Sequence, residues 1–155
     1  MNLIQSKMTN ITGRFTILAS RFNNGIVKLL IDGAIETLER YGIANESINL
    51  VRVPGAYELP LVAMAIAEKG EVDAIIALGA IIKGDTSHDE LIASECISGL
   101  ARVQMDTGIP VCLGVLTVNN TQEAFERAGV KEGNRGADAA LVAVEMVSLL
   151  SIIGS

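Results

Sequence analysis

Lys83-Gly84-Asp85-Thr86-Ser87-His88 sets a cation, a glycine, three short polar side chains and the chain's single histidine side by side. Before it runs Ile75-Ile76-Ala77-Leu78-Gly79-Ala80-Ile81-Ile82, apolar enough for a buried strand. After it, residues 89–102 read as a helix, for which Asp85, Thr86 and Ser87 are all suitable N-caps. A strand–turn–helix junction aims unpaired backbone N–H groups and the positive end of a helix dipole at one spot, and that spot suits a phosphate. Beside it stands His88, a residue type able to carry a proton near neutrality. Taken alone, a histidine in a polar loop is an ordinary surface residue; its place after a phosphate cradle makes it a candidate proton carrier.

Other candidates lie in other predicted strand-end loops. The aromatic residues are Phe15, Phe22, Tyr41, Tyr57 and Phe125, and two of them, Phe22 and Tyr57, fall in such loops. They either cap the sheet edge or stack on a flat heterocycle, a contact contributing about 0.5–1.5 kcal/mol beyond area burial. The turn Val53-Pro54-Gly55-Ala56-Tyr57-Glu58-Leu59-Pro60 is stiffened by two prolines and lets the backbone approach a ligand at Gly55. Its backbone groups could meet the edge of a base-like ring. Glu58 is available for hydroxyls or, alternatively, complements a helix dipole. Arg127 is either a solvated helix residue or a bidentate phosphate partner. One histidine and two separate cysteines cannot assemble a metal shell, so no metal is expected.

Alternating strand and helix patterns must position these groups. Strands are predicted at residues 15–19, 48–53, 75–82 and 110–116. Val27, Leu30, Ile31, Ala34, Leu38 and Tyr41 line one face of a first helix that stops at Gly42. Further helices are predicted at 58–69, 89–102, 122–128 and 136–150. The last is apolar almost all round, which places it deep in the core or against another subunit. Repeated strand–helix units with continuous apolar strands predict an α/β three-layer sandwich of flavodoxin-like kind, a central parallel sheet with helices on both faces. The ligand crevice then lies at the carboxyl ends of the strands, in loops 20–25, 54–58, 83–88 and 117–121.

The length of 155 residues predicts one domain, with residues 1–12 as an extended N-terminal segment. A net charge of -6 argues against nucleic acid, since no basic stripe exists to release counterions. Cys96 and Cys112 read as core residues of a reduced, cytoplasmic protein. No signal peptide opens the chain, and the apolar runs fall short of the ~20 residues of a membrane span.

Several segments together resemble one family. Ser20-Arg21-Phe22-Asn23, Pro54-Gly55-Ala56-Tyr57-Glu58-Leu59-Pro60, the 79–88 segment, Gly114-Val115-Leu116-Thr117, Arg127-Ala128-Gly129 and Asn134-Arg135-Gly136-Ala137-Asp138-Ala139-Ala140 are similar, in order and spacing, to 6,7-dimethyl-8-ribityllumazine synthase. The resemblance implies a cofactor-independent transferase of riboflavin biosynthesis. It condenses 5-amino-6-(D-ribitylamino)uracil with 3,4-dihydroxy-2-butanone 4-phosphate. It further implies that Phe22 stacks on the pyrimidine and that Ala56, Tyr57, Glu58, Ala80, Ile81 and Ile82 bind the ring and ribityl chain. Asp85 and Thr86 would cradle the phosphate, Arg127 would clamp it, and His88 would be the proton carrier. Family members form pentamers, many of them sixty-subunit cages, with Leu113 and Arg127 supplied by the neighbouring subunit. The short connection 129–134 resembles that of the cage-forming members. An association with riboflavin synthase is among the implied partnerships; nucleic acid and membrane are not.

Three departures from the family pattern involve four positions. Leu113 stands where an aromatic wall is usual, Asp89 where Phe or Tyr is usual, and Arg135 and Asp138 replace Lys and Glu. A carboxylate at 89 would raise the proton affinity of His88 or point to solvent. The rival readings are a related archaeal-type riboflavin synthase, disfavoured by the phosphate cradle, and a shell protein of the same fold with weakened catalysis.

Overall fold

The computed structural model describes residues 1–84 and 87–154. Asp85 and Thr86, assigned above to the phosphate cradle, lie outside the described residues. The elements are β1 (Phe15–Ser20), α1 (Asn24–Arg40), β2 (Ile48–Val53), α2 (Leu59–Lys69), β3 (Ala74–Ile82), α3 (His88–Thr107), β4 (Val111–Val118), α4 (Thr121–Arg127) and α5 (Arg135–Gly154). Single 3-10 turns occupy Asn45–Ser47 and Ala56–Glu58. Each expected strand and helix is present, with shifted ends. α3 runs past residue 102 because Val103 is still a core position, and it stops where Gly108 turns left-handed at φ 72°.

The four strands are parallel in the order β2-β1-β3-β4, with Phe15 opposite Ile48 on one side and Ala74 on the other. The central strands β1 and β3 are buried on both faces, as their unbroken apolar runs require. β2 is an edge strand and differs from the expected continuous burial: Asn49 and Leu50 are exposed. Leu30, Leu38, Ile76 and Val144 share the core between the sheet and α1 and α5. Leu18, Leu59, Ile75, Cys96 and Leu100 share the core under α2 and α3. Helix–sheet–helix is therefore the layering, and the fold is flavodoxin-like. Each such aliphatic, fully buried, contributes roughly 1.5–3 kcal/mol.

α5 is fastened to α1 by small residues. A Cβ on Gly136 would collide with the Leu30 carbonyl, so only glycine permits this approach. Asn134 donates from Nδ2 to the carbonyls of Leu29 (3.0 Å) and Ala128 (3.1 Å), and its Oδ1 accepts the Ala137 N–H (3.0 Å). The helix is thereby started and tied to α1 by one side chain. Its inner face is Gly136, Ala139, Ala140, Ala143 and Val144, while Leu141, Val142 and Ile153 face outward and are exposed. Placement deep in the core is thus excluded, and these outward apolar side chains are left uncovered among the described residues. By length and composition alone, with mean hydropathy 1.8, α5 is sufficient to cross a bilayer. The sequence reading missed this because Asp138 and Glu145 interrupt the apolar run without ending the helix.

Candidate active site

The strand order reverses at β1: the chain leaves it toward β2 on one side and reaches β3 on the other. In a sheet of this kind a crevice opens where the loops after such a strand part. The cleft found there is lined by Phe22 and Asn23 after β1, by Gly55, Ala56, Tyr57 and Glu58 after β2, by Ala80, Ile81 and Ile82 of β3, and by Asp89 and Ile92 of α3.

Backbone hydrogen bonds fix the three loops relative to one another. The N–H groups of Arg21 and Phe22 donate to the carbonyls of Val53 (2.8 Å) and Pro54 (3.0 Å), which staples the first loop to the second. Asn23 adopts the left-handed conformation at φ 61°, which asparagine tolerates better than most residues. From there its Nδ2 donates to the Ala80 carbonyl at 2.8 Å. β3 continues to Ile82, whereas its pairing with β1 ends at Leu78. Among the described residues, no strand covers one backbone edge of residues 79–82. The Ala80 carbonyl faces that edge, so by the twofold alternation of a strand the N–H groups of Ala80 and Ile82 do too. A row of backbone donors and acceptors next to an aromatic side chain suits the edge and face of a flat heterocycle.

Phe22 and Tyr57 are 67% and 66% exposed at this cleft, a costly position for aromatic side chains unless something covers them. Glu58 occupies the N-cap position of α2 but makes no side-chain cap hydrogen bond, so its carboxylate is available to the cleft. Asp89 lines the cleft as well, and its Oδ2 accepts the Gly84 N–H at 2.7 Å. It ties down the turn after β3. Ser87 holds the N-cap position of α3 without a side-chain cap bond, contrary to its expected role. His88 is the first residue of α3 and is exposed.

Leu113 and Arg127 are not part of this cleft. They line a second one along the open edge of β4, together with Gly114 to Val118 and Arg135. Arg127 Nη1 donates to the Glu123 carbonyl at 3.3 Å and lies 3.9 Å from Glu123 Oε2. Glu123 is held below the usual carboxylate range, first by the backbone N–H and then by the side chain of Asn119, with Arg127 and Lys83 adding to the effect. Apart from His88, which lines neither cleft, the described site residues divide into two sets: an aromatic and acidic cleft at the switch point, and a cationic one at the β4 edge. With a volume of about 140 Å³, the first is smaller than the ~300–1,000 Å³ typical of ligand sites.

Sequence reasoning missed Asn23, Ile92 and Arg135 as lining residues, whereas Gly55 lines the cleft where a close backbone approach was expected. Asn23 carried a signal, being an asparagine directly after the loop phenylalanine. Ile92 carried none, because an isoleucine in a helix reads as core.

Comparison with known proteins identifies the family. The pattern of the 6,7-dimethyl-8-ribityllumazine synthase family matches residues 12–151. A protein of Halorhodospira halophila (strain DSM 244 / SL1) named 6,7-dimethyl-8-ribityllumazine synthase is 53% identical over 137 residues, 88% of each chain. The chain therefore belongs to the 6,7-dimethyl-8-ribityllumazine synthase family, enzymes of riboflavin biosynthesis.

Proposed function

We propose that this enzyme condenses 5-amino-6-(D-ribitylamino)uracil with 3,4-dihydroxy-2-butanone 4-phosphate, releasing phosphate and water. One observation carries the assignment of the site: the exposed aromatic ring of Phe22 stands beside the uncovered backbone edge of β3, in a chain of this family. Phe22 stacks on the pyrimidine. The backbone around Ala56 and Tyr57 and along Ala80, Ile81 and Ile82 reads its edge, and Glu58 accepts from ribityl hydroxyls. Asp85 and Thr86 hold the phosphate through backbone and hydroxyl donors, and Arg127 clamps it. Leu113 supplies an apolar wall to the heterocycle.

The reaction proceeds by imine formation, phosphate elimination, tautomerisation and ring closure. Each step moves protons and none requires a strong nucleophile. His88 carries protons at the phosphate end, while alignment of the two reactants supplies most of the acceleration.

Separation of the two clefts within one chain supports a site shared between subunits, the β4 edge of one chain closing the switch-point cleft of the next. Exposed Leu61, Leu91, Met105 and Ile153 support extensive burial between copies. We read the assembly as pentamers joined into a sixty-subunit cage in the cytoplasm, where two buried, unpaired thiols stay reduced.

Mixing the purified protein with both substrates and following lumazine absorbance tests the assignment. Product formation that needs both substrates is expected. Turnover at the uncatalysed rate would contradict it and favour a shell protein. Riboflavin made from lumazine alone would identify a riboflavin synthase instead.

A further inference from the structure

Arg127 has a neighbour that competes with any anion it is meant to bind. Glu123 lies one helical turn earlier, and both side chains are 31% exposed. The Glu123 carboxylate is itself pinned: Oε2 accepts the Asn119 N–H at 2.9 Å, and Oε1 accepts from Asn119 Nδ2 at 3.3 Å. In return the Glu123 N–H donates to Asn120 Oδ1 at 2.9 Å. The carboxylate is thus fixed to the end of β4 through the residues that start α4, and Arg127 Nη1 stands 3.9 Å from it while donating to the Glu123 carbonyl at 3.3 Å. Lys83, whose N–H donates to the Val118 carbonyl at 2.8 Å, is the second cation influencing this carboxylate, and its own ammonium stands 3.8 Å from Glu90.

We propose that Glu123 is a positioning residue for Arg127, setting where the guanidinium stands and weakening its hold on the phosphate of the butanone substrate. The inference rests on the assignment of Arg127 to that phosphate. A helix cap alone would require only the Asn119 and Asn120 hydrogen bonds; it would not require the carboxylate to face the guanidinium. A weakened hold has a use here, because the reaction liberates inorganic phosphate at the same place and must release it.

Two variants separate charge from anchoring. Glu123→Gln keeps an oxygen to accept the Asn119 N–H but removes the charge. For a partly exposed ion pair the expected change is about two- to fivefold. KM for the butanone phosphate falls by that factor, inhibition by inorganic phosphate strengthens by the same factor, and KM for the aminouracil is unchanged. Glu123→Ala removes the anchor as well, so KM for the butanone phosphate rises while KM for the aminouracil stays. Should Glu123→Ala fail to fold, Glu123→Gln still decides. The proposal is overturned if Glu123→Gln leaves both phosphate readouts at wild-type values, or weakens phosphate binding, while Arg127→Ala raises KM for the butanone phosphate. If Arg127→Ala leaves that KM unchanged, the assignment of Arg127 to the phosphate is what fails, and the inference falls with it.

Discussion

The ring of Phe22 rests on Gly55: a Cβ at position 55 would stand 2.7 Å from Phe22 Cδ2 and 2.9 Å from Cε2. Two loops from neighbouring strands are fitted to each other here, and the Phe22 N–H to Pro54 carbonyl bond fixes the same junction through the backbone. With φ at -138°, Gly55 is in a conformation any residue adopts. What glycine supplies is room for the ring.

Gly55→Ala should therefore move the Phe22 ring without unfolding the protein. Steady-state kinetics should show a raised KM for the aminouracil at a nearly unchanged thermal midpoint. Phe22→Ala, which removes the proposed stack, should raise that KM roughly two- to tenfold, the equivalent of ~0.5–1.5 kcal/mol. A Gly55→Ala variant with wild-type KM would show that the ring's position does not matter for binding.

His88→Ala should slow turnover and leave measurable activity. General acid–base assistance is worth roughly 10²–10⁴-fold, and the aligned site persists without it. Single-turnover rates with both substrates bound are the measurement. Activity lost to the uncatalysed level in a folded variant would assign the proton transfers a larger share.

Burial holds both thiols protonated, raising Cys96 from 9.0 to about 11 and Cys112 from 9.0 to about 12. In the unfolded chain they ionise near 9.0, so their contribution to stability is complete below that pH and is lost as pH rises through 11 and 12. Urea midpoints should fall on the alkaline side, and the fall should be shallower in a Cys96→Ala, Cys112→Ala double variant. Equal slopes in the two proteins would contradict this. Below pH 9.0, the native thiols should resist alkylation until the chain is unfolded.

Much of this architecture was readable from residue order because the central strands are apolar without interruption and the helices carry clear buried faces. Element ends were less readable. α5 begins at Arg135, one residue before the expected start, where Asn134 accepts the Ala137 N–H; that the same side chain also bonds Leu29, a residue distant in sequence, no local pattern announces. Phe22, Tyr57 and Glu58 were recognisable as aromatic and acidic side chains in loops that need neither. The role of Asn23 depends on meeting the Ala80 carbonyl across the end of the sheet. The separation of Leu113 and Arg127 from Phe22 follows from β4 being an edge strand, which strand order decides and residue spacing does not.

The most direct test of the shared site is complementation between two disabled chains. Phe22→Asp destroys the aromatic cleft and Arg127→Glu destroys the cationic one. Each variant alone should be nearly inactive. Unfolded together in equal amounts and reassembled, they should recover about a quarter of wild-type activity, because random pairing of neighbours in a cyclic assembly brings two intact halves together at that frequency. Recovery near that level is the predicted result. A reassembled mixture no more active than the sum of the two variants, at wild-type oligomer size, would contradict a site built between subunits.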